Sequence, residues 1–323
     1  MPSEISQKTP PRSLSSERIA RAHHAIDQTF RDTPQFEAAT LSERFGCRLV
    51  VKVETLNPIR SFKARGAQYF VSELTGRPHL VCSSSGNFGQ GMAYAARKSG
   101  LALTVFVNTP ANPLKVARMR ALGADVRVTG GDSDDAHTAA QGFADERGAL
   151  LVVDGHEPAI AEGAGTIALE LLRWPEPFDV ILVPLGDGAL LGGISCWVKA
   201  HSPGVRMIGV CAAGSPAMER SWRTGQIVTA PAQTIAEGIS IETPCATAVA
   251  NLTALADEVI FVDDAALIAA MRLAHREIGL VLEPSGAAAL AALAVHTERF
   301  RDQRIGAVLT GGNVAPEQMQ QWF

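Results

Sequence analysis

Lys63 stands in the string SFKARGA, after the β-rich run RLVVKVE and a turn containing Pro58, where an amphipathic helical pattern begins. A lysine held partly out of water loses stability as an ammonium, which lowers its pKa and equips the amine to form an imine and to carry protons. Alone, such a residue reads as an exposed helix lysine. Two loops change that reading. In VCSSSGNFGQG an apolar run ending at Val81 and Cys82 passes through Ser83, Ser84, Ser85, Gly86 and Asn87 into a helix expected to begin near Phe88. Small residues feeding a helix start present free N–H groups and the positive end of the macrodipole, which suits a carboxylate or a phosphate. DVILVPLGDGALLGG repeats the strand, glycine turn and helix order, with Gly186 and Gly188 admitting an anion close to the backbone. The chain thus offers one imine-forming lysine and two anion-binding helix starts.

The elements that must position these groups are legible as short aliphatic runs: LVVKVE, HLVCS, LTVFVN, DVRVTG, LLVVD, DVILVPL, RMIGVC, EVIFVDD and IGAVLT. Helical patterns between them end on Gly100, Gly123, Gly148 or Gly225, as left-handed C-caps prefer. Strand and helix alternating at this spacing predict an α/β protein whose parallel sheets are covered on both faces. Ligands of such sheets bind beyond the carboxyl ends of the strands, where Ser83–Asn87, Gly186–Leu190 and Thr310 all fall.

The ordered strings SFKxRGA (61–67), SSGNxGQ (84–90), GxGxL (186–190), LEPSGA (282–287) and LTGGN (309–313) resemble the fold-type II pyridoxal 5′-phosphate enzymes of the threonine/serine dehydratase and serine racemase branch. The resemblance runs from about Arg18 to the C-terminus. It implies a two-lobed, tryptophan synthase β-like architecture. A large cofactor-binding lobe would comprise residues 1–76 and 154–323, and a small lobe 77–153, with residues 1–15 flexible. It implies that Lys63 forms the Schiff base with the cofactor aldehyde, that Phe62 packs near the ring and that Asn87 bonds the ring's 3′ oxygen. Gly186, Asp187, Gly188, Ala189 and Leu190 would hold the cofactor phosphate, Glu283 would lie near the ring, and the Thr310 hydroxyl would meet the pyridine nitrogen. Ser84, Ser85, Gly86 and Asn87 would hold the substrate carboxylate. The implied reaction is β-elimination of water from L-threonine, L-serine or a related β-hydroxy amino acid, giving a 2-oxo acid and ammonia, in a homodimer.

A neutral hydroxyl at position 310 has a consequence of its own. A carboxylate there would stabilise a protonated pyridinium and deepen the electron sink, which a hydroxyl cannot do. Less charge reaches the ring, so expulsion of a β-substituent gains over transamination. Several positions depart from the family pattern. Ser85 stands where dehydratases carry Ala and racemases Ser, so it either serves as a second base opposite Lys63, in an amino-acid racemase, or caps the following helix. Arg60 places a guanidinium near Lys63, either to recognise a second substrate carboxylate or to pair with a surface acid. Phe88 replaces a frequent His and makes the pocket more apolar. Asp187 would repel a phosphate and is expected to point away. Cys211 stands where relatives place a cation-binding Glu, so no metal site is expected.

The 323 residues, 46% hydrophobic and 19% charged, supply ample core for two α/β lobes. A net charge of −4 gives no electrostatic case for nucleic acid or an anionic membrane, which leaves a small-molecule partner. The polar opening MPSEISQKTPPRSLSS has no signal-peptide core, so a cytoplasmic protein is expected. Five cysteines without CxxC spacing indicate neither a disulfide framework nor a zinc site. GDGALLG after a strand superficially reads as a dinucleotide fingerprint, but Cys211 occupies the end of the next strand, where an acid should meet the ribose.

Overall fold

The computed structural model describes residues 14–109 and 111–323. The expected flexibility of residues 1–15 falls outside the described residues up to residue 13. Ser15, within them, N-caps the Ser16–Ala25 helix by accepting the Arg18 N–H at 3.3 Å.

Among the described residues ten strands form two sheets. The larger contains β1 (Gln35–Glu37), β2 (Arg48–Val53), β7 (Val180–Pro184), β8 (Arg206–Ala212), β9 (Glu258–Val262) and β10 (Arg304–Leu309), in the order β1-β2-β10-β7-β8-β9. The smaller contains β3 (Leu80–Ser83), β4 (Leu103–Val107), β5 (Asp125–Val128) and β6 (Leu150–Leu151), in the order β5-β4-β3-β6. Every pairing is parallel except β1 with β2. Parallel strands buried on both faces read as unbroken apolar runs, and β7 (VILVP) is buried along its whole length. The exception escaped the sequence reading for a physical reason: β1 is three residues of half-exposed edge with no apolar run. Its Glu37 pairs with Arg48 across the ladder at 2.9 Å.

Beneath the larger sheet, the AALAALAV helix (Ala288–Val295) is apolar all round, and all but its last two residues are buried. On the other face lie two helices that matter to the cleft, Pro158–Leu171 and Ala189–His201. The Lys63–Ser72 helix crosses the first of these.

These helices approach backbone to backbone, which only glycine permits. A Cβ at Gly163 would lie 2.6 Å from the Arg65 carbonyl oxygen, and one at Gly193 would lie 1.9 Å from that of Ala161. On the far side of the Lys63 helix, a Cβ at Gly91 would meet the Lys63 carbonyl carbon at 2.9 Å. The lysine helix is therefore fixed against its neighbours with no side chain to act as a compliant spacer.

A fully buried ion cluster fixes its rotation. Arg65 forks onto Glu54 (Nε–Oε2 2.8 Å, Nη2–Oε1 2.9 Å) and reaches Glu170 through Nη1 at 2.7 Å, while Lys52 Nζ meets the other Glu170 oxygen at 2.6 Å. Two cations against two carboxylates leave no uncompensated charge in the interior, so the cost of desolvation is met by paired hydrogen bonds.

Gly193→Ala is expected to lower the unfolding free energy by about 1–3 kcal/mol, as overpacking does. Gly142→Ala, in the Ser133–Arg147 helix where a Cβ meets nothing within 4 Å, should raise it by about 0.5–1 kcal/mol. Urea unfolding of the two variants checks the contrast.

Candidate active site

The carboxyl ends of β3, β4, β6, β7 and β10 open onto one cleft of about 440 Å³, whose lining includes Phe62, Lys63, Ser84, Asn87, Gly186, Glu283 and Thr310. The lysine, the serine loop and the glycine loop are separate in sequence and meet here because parallel strands present all their carboxyl ends to the same edge. Lys63 is the first residue of its helix. The chain before it is stapled to the end of β10: the Phe62 N–H donates to the Thr310 carbonyl at 3.1 Å, and Ser61 bridges Gly311.

The lysine amine does not sit in the apolar surroundings that the sequence suggested. Its Nζ donates to Asp154 Oδ2 at 2.6 Å and to Asp187 Oδ2 at 2.8 Å. Burial disfavours the ammonium, but the two carboxylates outweigh it, so the pKa of Lys63 is raised where lowering was expected. The carboxylates are not equivalent. Burial and the neighbouring Asp187 charge push Asp154 up to about 7 against the pull of Lys63. Burial also opposes ionisation of Asp187, yet Lys63 and the Ala189 N–H hold it below the usual range. The expectation that Asp187 points away from the site is corrected: it faces the lysine, and its Oδ1 accepts the Ala189 N–H at 2.7 Å. A short acid inside the turn finds both a cation and a helix-start donor within reach, which outward rotation would forfeit.

The glycine turn has the shape of an anion cradle. Gly188 adopts φ +94, and a Cβ on Gly186 would fall 2.8 Å from the Gly238 carbonyl oxygen. Behind the turn begins the Ala189–His201 helix, whose start lines the cleft at Leu190 and Leu191. With Asn87, Glu283 and Thr310 around the remaining wall, the residues present fit a phosphate joined to a polar aromatic ring.

The serine loop divides its labour differently from expectation. Ser84 Oγ accepts the N–H groups of Gly86 at 3.2 Å and Gly89 at 3.1 Å, so the capping considered for Ser85 falls to its neighbour. Ser85 Oγ instead donates to Asn108 Oδ1 at 2.8 Å, while remaining on the cleft lining. Asn87 opens the Asn87–Ser99 helix, and its Nδ2 donates to Glu283 Oε1 at 2.5 Å. Asn313 donates to Asn87 Oδ1 at 2.8 Å and, through its backbone, to Glu283 Oε2 at 3.2 Å. Glu283 lines the cleft and immediately precedes a single turn of 3-10 helix, Pro284–Ala287. Burial raises its pKa, with Lys115 and Asn87 opposing. Phe88 is buried and contributes an apolar wall.

Arg60 is not brought into the cleft. It is exposed, sits at φ +52 and is absent from the lining, and its backbone carbonyl accepts the Gly312 N–H at 3.0 Å. The backbone there serves the turn, which carries the side chain outward; the guanidinium lies near Arg118 and lowers that residue's pKa after burial. A second cation does line the cleft beside Lys63, and it is Lys115, which sequence reasoning passed over. It is buried and bonds Glu237 at 2.8 Å, joining the Pro113–Ala121 helix to the larger sheet's side of the cleft. Asp154 was also missed, although it closes the run LLVVD just where β6 delivers the chain to the cleft edge. Cys211 is buried and its Sγ donates to the Leu185 carbonyl at 3.5 Å.

Comparison with known proteins agrees with this geometry. The profile of the family described as "Pyridoxal-phosphate dependent enzyme" matches residues 26–311. An L-threonine ammonia-lyase of Geobacter sulfurreducens is 34% identical over 303 residues, covering 92% of this chain and 75% of that protein. An L-threo-3-hydroxyaspartate ammonia-lyase of a Pseudomonas species is 33% identical over 301 residues, covering 92% and 94%. The solved structure of maize serine racemase superposes with a TM-score of 0.90 at 27% identity, covering 96% of this chain and 97% of that one. The lysine between two oxyanion-accepting turns therefore belongs to a member of the pyridoxal-phosphate-dependent enzyme family, in its fold-type II architecture.

Proposed function

We propose that this chain is an ammonia-lyase that eliminates water from a β-hydroxy α-amino acid of the L-threonine or L-serine type, releasing a 2-oxo acid and ammonia. The observation that carries this reading is the meeting of Lys63, the Gly186–Leu190 turn and Thr310 in one cleft, in a chain whose relatives include ammonia-lyases at 33–34% identity. Bound pyridoxal phosphate supplies an electron-withdrawing ring that eases loss of the Cα proton. The residues of the chain do the rest. The backbone of Gly186, Asp187, Gly188, Ala189 and Leu190 would hold the phosphate, Asn87 and Thr310 would orient the ring, and Phe62 would pack beside it. Ser84, Ser85, Gly86 and Asn87 bind the substrate carboxylate. Lys63 Nζ takes the Cα proton, and Phe88, an apolar wall of the cleft, favours a small substituent such as hydrogen or methyl beside the leaving hydroxyl.

A small lobe of residues 77–153 facing a large lobe of 1–76 and 154–323 accommodates this division of labour, since the four strands of the smaller sheet lie between Leu80 and Leu151. Among the described residues no helix is long and apolar enough to cross a membrane. We infer a cytoplasmic homodimer acting on a small molecule.

The racemase reading keeps one supporting observation: Ser85 lines the cleft and its hydroxyl is held by Asn108. Chiral analysis of products from L-serine and L-threonine separates the two. Elimination yields 2-oxo acid without accumulation of the D-isomer, whereas dominant D-isomer formation would establish a racemase.

Lys63→Ala should abolish the visible absorbance of the bound cofactor and reduce 2-oxo acid release by roughly 10²–10⁴ or more, the range for a lost proton-transfer group. Persisting turnover would remove the lysine from the chemistry. Ser85→Ala should lower kcat/KM by roughly tenfold or less, equivalent to one hydrogen bond, because elimination needs no second base. Coupling release of the oxo acid to a reductase assay measures both.

A further inference from the structure

The reading of Lys63 as the reacting amine leaves a charge imbalance. One ammonium faces two carboxylates, and an amine that reacts must first give up its charge. If the proton left the cleft altogether, Asp154 and Asp187 would face one another across the space the ammonium had filled, with no cation between them.

The geometry shows where that proton can rest. Asp187 is anchored at both oxygens, Oδ2 on Lys63 and Oδ1 on the Ala189 N–H, and a carboxylate that accepts an N–H bond gains from staying ionised. Asp154 is bonded at one oxygen only. Its Oδ1 is buried with no hydrogen-bond partner, so it costs stability as an anion and would gain from carrying a proton. Two adjacent acids pushed in opposite directions are the usual mark of divided acid and base roles. Oδ2 of Asp154 lies 2.6 Å from Nζ, within direct transfer distance, and Asp154 lines the cleft.

We propose that Asp154 is the proton-carrying partner of Lys63, accepting the proton that Nζ gives up and returning it, while Asp187 remains the fixed anion of the pair. In the forward step an N–H bond of Nζ breaks and an O–H bond forms on Asp154. No electrons change hands, and the net charge of the three groups stays constant. The other ionisable groups facing Asp154 are the Cys82 thiol from β3 and His156 on its own loop. The first is buried and held neutral, its pKa pushed up to about 12. The second lies two residues on and its ring is engaged by a hydrogen bond with the Cys245 side chain, away from Asp154.

The test is made on the full chain loaded with pyridoxal phosphate, following the pH dependence of its visible absorption and of kcat. The wild type should show one ionisation well above the usual carboxylate range, where burial and Asp187 push Asp154. Asp154→Asn should erase that ionisation from both profiles and lower kcat at least tenfold with a smaller change in KM. Asp154→Glu should restore it. Asp187→Asn should keep the ionisation but move it to lower pH, since the anion that raises Asp154 is gone. Should Asp154→Asn not fold, the displacement in Asp187→Asn and the retained ionisation in Asp154→Glu carry the test. An ionisation left in place by Asp154→Asn, or unmoved by Asp187→Asn, would overturn the proposal. Lys63→Ala measured alongside separates the outcomes: an inactive lysine variant with an unchanged asparagine profile defeats only the role of Asp154, whereas an active lysine variant defeats the reading beneath it.

Discussion

The close approach of four helices, backbone against backbone, is the constraint on which the cleft rests. Gly91, Gly163 and Gly193 remove the side chains that would separate the Asn87, Lys63, Pro158 and Ala189 helices. Three of those helices begin at the cleft edge, so the spacing of the lysine, the serine loop and the glycine turn is inherited from helix packing. Side-chain interdigitation would leave room for rotamer changes; direct contact of main chains leaves very little. Arg65 adds a rotational lock two residues from Lys63. A guanidinium with both partner carboxylates buried can be satisfied in one orientation only, and the lysine points where that orientation sends it.

Placed by this frame, the charged groups of the cleft form two separate systems. On one side Lys63 is held by Asp154 and Asp187; on the other Glu283 faces Asn87, Asn313 and the more distant Lys115. The first has an excess of negative charge next to the amine. The second buries an acid among amide donors and one cation. Lys115 further ties the helix it sits on to Glu237 across the cleft, so the wall carrying the small sheet is joined to the opposite wall by an ion pair as well as by chain connections.

Much of this was legible in the sequence because backbone features have local signatures. Nine of the ten strands are apolar runs, the left-handed caps at Gly100, Gly148 and Gly225 follow the helices they end, and the loops 83–88 and 186–190 advertise free N–H groups by composition. The tenth strand, β1, lacks a run because it is a short edge. Side-chain direction has no such signature. The string around Lys63 gives no sign of its two acidic partners, which lie 91 and 124 residues away in sequence. The same limit governed Asp187, whose direction is set by a cation supplied from another helix, and Arg60, whose side chain is carried outward by a backbone turn that composition does not reveal.

Asp187 also changes how the glycine turn works. The Ala189 N–H already donates to the carboxylate, and one N–H supports one strong hydrogen bond. The acid therefore bridges the start of the Ala189–His201 helix and the lysine amine, so a change of charge at one is felt at the other. An anion arriving at the turn would meet the N–H groups that Asp187 leaves free, and its charge would favour the Lys63 ammonium while Asp187 stayed anchored at both oxygens. A turn built of glycine alone would have no such link between the helix start and the lysine.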